Sequence, residues 1–295
     1  MKIILTGSLG HISKPTASQL VKLGHEVTVI SHNAKRAAEI EALGATPAIG
    51  SITDEAFLTA TFQGADAVYL MITAASAGDI FEAGRRQAQI YAAAVKAAGV
   101  KQVVNLSSVG ANLGPEVGAL HIYHIIEGVL TTELPDVNLT FIRPTGMFYN
   151  LFGSLTSIRQ DHAIYTNNSL TKASSWVAPA DIAPVIVKAL TAPAAGNTVQ
   201  YVASDEKTYP EVAQLLGAAI GMPDLKAVQL SDAEMQQRLS AVNPNAQFVE
   251  QFVKMTAYER DQDFYAEYRQ YQPILGPTKL ADFAATFAQV YQQQA

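Results

Sequence analysis

Seven short runs of β-forming residues recur along the first two-thirds of the chain, each separated from the next by a helix-length segment. They fall at residues 2–6, 27–31, 46–49, 67–72, 102–107, 139–143 and 199–203. The first reads KIILT and is apolar at nearly every position, as a strand covered on both faces should be. Helical segments run up to Leu20 and over residues 35–43, 54–62, 80–98 and 181–190, with Gly24 and Gly44 as stop signals. Parallel neighbours need such crossovers. The alternation therefore predicts an α/β chain with a doubly wound parallel-sheet Rossmann fold.

The pattern loosens after Tyr149. Residues 151–175 read as loop-rich, and the chain from Tyr209 onward as helical, with turns at Gly221-Met222-Pro223, Asn243-Pro244 and Gly276-Pro277. The expected division is a Rossmann domain over residues 1–150, completed by about 176–205. A smaller, mainly helical lobe takes residues 151–175 and 206–295. Its aromatic residues, among them Phe248, Phe252, Tyr258, Phe264, Tyr265, Tyr268 and Tyr271, serve either its packing or a pocket for a planar ligand.

The first strand runs into TGSLGHIS, residues 6–13. In a Rossmann first turn one glycine permits the tight turn, a second admits the pyrophosphate, and a third packs helix on strand. Gly7 and Gly10 hold the first two positions and Ser13 the third. The N–H groups around Gly10, His11 and Ile12 would face phosphate, aided by the helix dipole, and Ser8 belongs to the same turn. Pro15 suits a first helical turn, whose N–H groups lack partners. The other reading is a tight strand–helix turn with no ligand.

NAD-selective sites end the second strand with an acid that bonds the ribose 2′-OH. Here VTVIS ends in Ser31 and His32, and Lys35 and Arg36 follow. These four suit a 2′-phosphate, so NADP(H) is favoured over NAD(H). Alternatively, Lys35 and Arg36 are solvated helix residues.

A net charge of −6 gives no basic footprint for nucleic acid. With no cysteine there are no disulfides, thiolate nucleophiles or Cys-based zinc sites. No apolar run approaches the roughly 18 residues of a membrane span, and the run after Lys2 is too short for a signal peptide. A cytoplasmic location is expected, with the oligomeric state open. His121 and His124 lack a third metal ligand, and no G-x-S-x-G elbow is present.

The TGxxGxx spacing, GADAVYLM, NLSS at residues 105–108, FIRPTGMFYN at 141–150, WVAPADIA around Asp181, TYPEVAQLLGAAIG at 208–221 and the ending GPTKLADFAATFA together resemble the NmrA-like branch of the atypical short-chain dehydrogenases/reductases. The resemblance covers nearly the whole chain. It implies an NAD(P)-binding Rossmann domain with a small C-terminal substrate lobe. Such proteins include quinone, azo and triphenylmethane reductases, isoflavone-reductase-like enzymes and nucleotide-binding regulators. The chain departs from the family at Ser13 and at Gly50-Ser51, where a Gly-Asp pair is usual.

In an ordinary short-chain dehydrogenase a tyrosine protonates the carbonyl oxygen and a lysine four residues on stabilises the tyrosinate. Here Tyr123 is followed by Glu127, and a carboxylate in the lysine's place disfavours tyrosinate. Tyr123 is thus a candidate proton donor that reads better as structural, and His124 points away from the core stripe. Ser107, with Ser108, ends the fifth strand, at the sheet edge where α/β ligands bind. It is either a dehydrogenase serine or a strand cap. Thr73, past the fourth strand, and Pro144, after the sixth, are expected to face the cofactor at that edge.

The leading expectation is an NADPH-dependent reductase of a planar acceptor such as a quinone, in which positioning does most of the catalytic work. The alternative is a non-catalytic NADP(H)-binding redox sensor, with isomerase or epimerase chemistry behind both.

Overall fold

The computed structural model describes residues 1–72, 78–192 and 195–293. Twelve strands are present among them: β1 (Lys2–Leu5), β2 (Glu26–Ser31), β3 (Thr46–Ile49), β4 (Ala67–Leu70), β5 (Gln102–Leu106), β6 (Asn138–Pro144), β7 (Gly146–Met147), β8 (Ala163–Thr166), β9 (Ser174–Val177), β10 (Asn197–Val202), β11 (Asp205–Lys207) and β12 (Lys226–Gln229). The helices are α1 (Ser13–Lys22), α2 (Ala37–Ala42), α3 (Glu55–Phe62), α4 (Ile80–Ala98), α5 (His121–Glu133), α6 (Leu155–Asp161), α7 (Pro179–Thr191), α8 (Tyr209–Ile220), α9 (Asp232–Ser240), α10 (Ala246–Asp261), α11 (Ala266–Tyr271) and α12 (Leu280–Gln293).

All seven expected strands join one sheet, in the order β10-β6-β5-β4-β1-β2-β3. From β6 to β3 every pair is parallel. β10 continues the same sense, because Leu139 N donates to Gly196 O and Thr145 N to Val202 O. The chain reverses its direction of winding between β1 and β4, which creates the crevice where open α/β sheets bind ligands. The expected limits of α4 hold at both ends. Asp79 accepts from the N–H groups of Phe81 and Glu82, and Gly99 closes the helix in the left-handed conformation.

The chain separates into two units. The first comprises Met1–Ala111, Ile122–Arg143 and Ile182–Tyr201. One face of its sheet packs Ile4, Val68 and Val103 against Leu58, Tyr91 and Ile126 of the flanking helices, all essentially without solvent contact. At about 25 cal/mol per Å² of apolar area, this burial is the main stabilising term of the unit.

The second unit comprises Asn112–His121, Pro144–Asp181 and Val202–Ala295. It is less purely helical than its sequence suggests. α6, β8 and β9 form within the segment read as loop-rich, and β12 within the helical one. β9 pairs antiparallel with β11 and parallel with β7, while β12 pairs parallel with β8. Strands of two to four residues carry too little alternation to announce themselves, and their partners are remote in sequence.

Two of the resemblance motifs meet in this unit. Asp181 accepts from Ser204 Oγ at 2.6 Å and from Thr278 Oγ1 at 2.8 Å, while Lys279 Nζ donates to Ser204 O and Gly276 O. WVAPADIA and GPTKLADFAATFA are therefore two sides of one buried clasp. Nearby, α10 lies directly on the 3₁₀ turn Pro115–Leu120, where Gly118 (φ +68°) has no room for a side chain: a Cβ would fall 2.3 Å from Gln251 O.

Candidate functional site

The glycine turn is built at the carboxyl end of β1. Thr6 Oγ1 donates to Tyr69 O and accepts from Met71 N, fixing the strand end against β4. Gly7 then adopts φ +90°, and a Cβ there would lie 2.7 Å from Ser13 Oγ and 2.8 Å from Met71 Cγ. Glycine is required at this position on both counts. Ser13 does more than tolerate the third glycine position: its buried hydroxyl donates to Thr6 O at 3.1 Å and staples helix to strand. Ser8 N donates to Ile30 O, and Ser8 Oγ donates to Ser31 Oγ at 2.9 Å, joining the turn to the end of β2.

These residues fit a pyrophosphate. Gly10 and His11 are exposed, and a Cβ on Gly10 would meet only Gly7 O, at 3.3 Å. No side chain caps α1 and its first turn carries no acid, so the positive end of the helix faces outward. Asn105, buried at the end of β5, uses its Nδ2 on Leu70 O, while its Oδ1 has no partner among the described residues. An orphaned buried acceptor at a sheet's carboxyl edge suits a ligand that donates there.

The end of β2 carries the expected cationic side chains, with a complication. His32 and Lys35 are exposed, and Asn33 Oδ1 accepts from Lys35 N to start the next turn. Arg36 NH1, however, donates to Glu39 Oε2 at 2.7 Å, and Lys14 Nζ donates to the other oxygen of the same carboxylate at 2.8 Å. Lys14 first and Arg36 second hold the Glu39 carboxyl below its ordinary range. Neither Lys14 nor Glu39 stands out in the sequence, although the three-residue step from Arg36 to Glu39 is a helical pairing distance. Ser51, at the position where the resembled family usually has an acid, has its hydroxyl bonded to the Thr53 hydroxyl at 2.8 Å and accepts from Thr53 N at 3.1 Å.

At the other side of the crevice, Ser107 follows β5 and is 2% exposed. Its hydroxyl donates to Glu127 Oε1 at 2.5 Å. Arg143, from β6, grips the same carboxylate with two bonds: Nε to Oε1 at 2.9 Å and NH2 to Oε2 at 2.6 Å. Its NH1 donates to the hydroxyl of Tyr201 on β10. Burial alone would lower the Arg143 pKa, but the Glu127 carboxylate more than offsets this and the net shift is upward. The expectation for Glu127 therefore needs correction. It is buried and paired with Arg143, not a lone carboxylate acting on Tyr123. Arg143, 16 residues away on a strand, could be identified as its partner only from the fold.

Tyr123 is half-buried and packs against the core on this face of the sheet. His124 is exposed, with Nδ1 3.0 Å from Ala111 O. Pro144 closes β6 and is buried. Thr73 lies outside the described residues. The turn residues Gly7, Ser8, Gly10 and Ile12 and the β2-end residues Ser31, His32, Lys35 and Arg36 are thus carried by adjoining loops of one unit, and Ser107 by the same sheet edge.

The second unit contains a cavity of about 550 Å³ whose walls include Lys172, Ser174, Glu259, Asp263, Tyr265 and Arg269. Of the C-terminal aromatics, Phe264 and Tyr265 line it. Tyr265 donates to Glu259 at 2.8 Å and accepts from Ser175 N, and burial followed by the Glu259 charge raises its hydroxyl well above the ordinary value. The remaining walls are mostly charged.

A family profile described as NAD(P)H-binding matches residues 7–193, more than half of the chain. The chain belongs to that family. The match agrees with the NmrA-like resemblance and spans the glycine turn, the β2 end and the Ser107 network. Among characterised relatives, this NAD(P)H-binding protein is 28% identical over 225 residues to an NAD(P)H azoreductase of Xenophilus azovorans, covering 75% of this chain and 74% of the relative. In fold it is similar to an NADPH-dependent quinone oxidoreductase of Escherichia coli solved with NADPH (TM-score 0.78, 20% identity, 96% of this chain and 99% of that one). It is likewise similar to a Citrobacter triphenylmethane reductase (TM-score 0.76, 19% identity, 98% and 100%). Among the described residues no helix is long and apolar enough to cross a membrane.

Proposed function

We propose that the protein is an NADPH-dependent reductase whose acceptor is planar and electron-poor, such as a quinone or an azo compound. The observation that carries this is the closed Ser107–Glu127–Arg143 network. The Ser107 hydroxyl donates to the same Glu127 carboxylate that Arg143 grips with two bonds, so its hydrogen bond is spent inside the protein and withheld from a substrate carbonyl. Tyr123 has no lysine four residues on. An acceptor whose reduced anion is delocalised makes little demand for a side-chain acid, and water can complete the protonation. The relatives' names, azoreductase and quinone oxidoreductase, point to the same class.

When bound, NADPH supplies the hydride. The backbone of Gly7 to Ile12 holds the pyrophosphate, and Ser31, His32, Lys35 and Arg36 take the 2′-phosphate. Ser107 lies toward the cofactor's reactive end, and the second unit serves as the substrate lobe. Catalysis then rests on proximity and orientation. The test is NADPH oxidation, followed by absorbance, against a panel of quinones and azo dyes. Acceptor-dependent turnover with NADPH preferred over NADH is expected. Tight NADPH binding without turnover on any acceptor would contradict the proposal.

A further inference from the structure

We propose that Glu39 is the protein's internal stand-in for the nucleotide 2′-phosphate, and that Lys14 is a phosphate ligand alongside Arg36. This rests on the NADP(H) reading above. Lys14 comes from the first turn of α1 and Arg36 from the turn after β2, yet each donates to a different oxygen of one carboxylate, at 2.8 and 2.7 Å. Two cations from two loops thus converge on a single anionic point. The Ser8–Ser31 hydroxyl bond ties the turn that leads into α1 to the end of β2, beside the place proposed for the 2′-phosphate.

The three side chains are 49%, 45% and 40% exposed, so a solute can reach the pair and displace the carboxylate. Exposed ion pairs contribute little to stability, which makes the exchange easy. A phosphate monoester brings three acceptor oxygens and close to two negative charges where Glu39 brings two oxygens and one. Lys14 and Arg36 therefore transfer to it readily, whereas an unphosphorylated ribose leaves them on Glu39. The carboxylate also repels the incoming phosphate, so Glu39 limits affinity for the phosphorylated nucleotide while Lys14 and Arg36 create it.

Calorimetric titration with adenosine 2′,5′-bisphosphate and with 5′-AMP isolates the phosphate contribution without turnover. Glu39→Gln is expected to bind the bisphosphate about 5–10-fold more tightly at low salt, with 5′-AMP changed less than about twofold and the gain shrinking as salt rises. Lys14→Ala should weaken the bisphosphate about tenfold and spare 5′-AMP. Thermal melts check that these surface variants fold. If Glu39→Gln leaves bisphosphate binding unchanged or weaker, the carboxylate merely orients the cations and the inference fails. If it weakens 5′-AMP, Glu39 is an acceptor for the 2′-OH and the inference fails differently. A wild-type protein that binds the two ligands equally would overturn the NADP(H) reading itself, and the inference with it.

Discussion

The residue that most changes its meaning in the fold is Glu127. In the sequence it marks the absence of a lysine; in the structure it is half of a buried ion pair that also accepts a hydrogen bond from the Ser107 hydroxyl. Buried pairs are weak evidence of stability, because desolvation consumes most of the Coulomb gain, but breaking one strands a charge. Glu127→Ala should therefore destabilise the first unit by about 3–5 kcal/mol in urea unfolding. Adding Arg143→Met to Glu127→Leu should recover at least half of that loss. A single variant as stable as the wild type would mean that water reaches Arg143 freely. Ser13 is a smaller case of the same kind. Its spacing identified it as a glycine substitute, but its bond to Thr6 O depends on the turn geometry.

At the level of elements, what could be read ahead follows from periodicity and caps. β1, β5 and α4 are legible because apolar runs and an Asp79–Gly99 cap pair are local signals. The second unit's short strands are not, since β8 finds β12 some 60 residues on and neither alternates clearly. The seating of α10 on the 3₁₀ turn was equally hidden, because it depends on one glycine meeting a remote helix backbone. Gly118→Ala should cost about 2–4 kcal/mol, from a backbone conformation that alanine resists together with overpacking against Gln251 O. A melting temperature within a degree of wild type would show that α10 can shift away. The loops after β1 and β2 fall between these extremes. Gly7, Gly10 and Arg36 could be picked out by spacing, whereas Lys14 and Glu39 became visible only when helix α1 and the β2 end were placed side by side.

For the whole molecule, the chain forms two units: a parallel sheet whose crevice suits a dinucleotide, and a mixed unit whose motifs close on Asp181. In the proposed reaction, reduction proceeds by positioning alone, with no side-chain acid. Its sharpest test is kcat for NADPH-dependent quinone reduction in Tyr123→Phe, measured beside wild type. The account predicts a value within about threefold of wild type, since removing a general acid from a mechanism that uses one costs about 10²–10⁴-fold. A fall of that size with folding and NADPH affinity intact would make Tyr123 the proton donor and contradict the account.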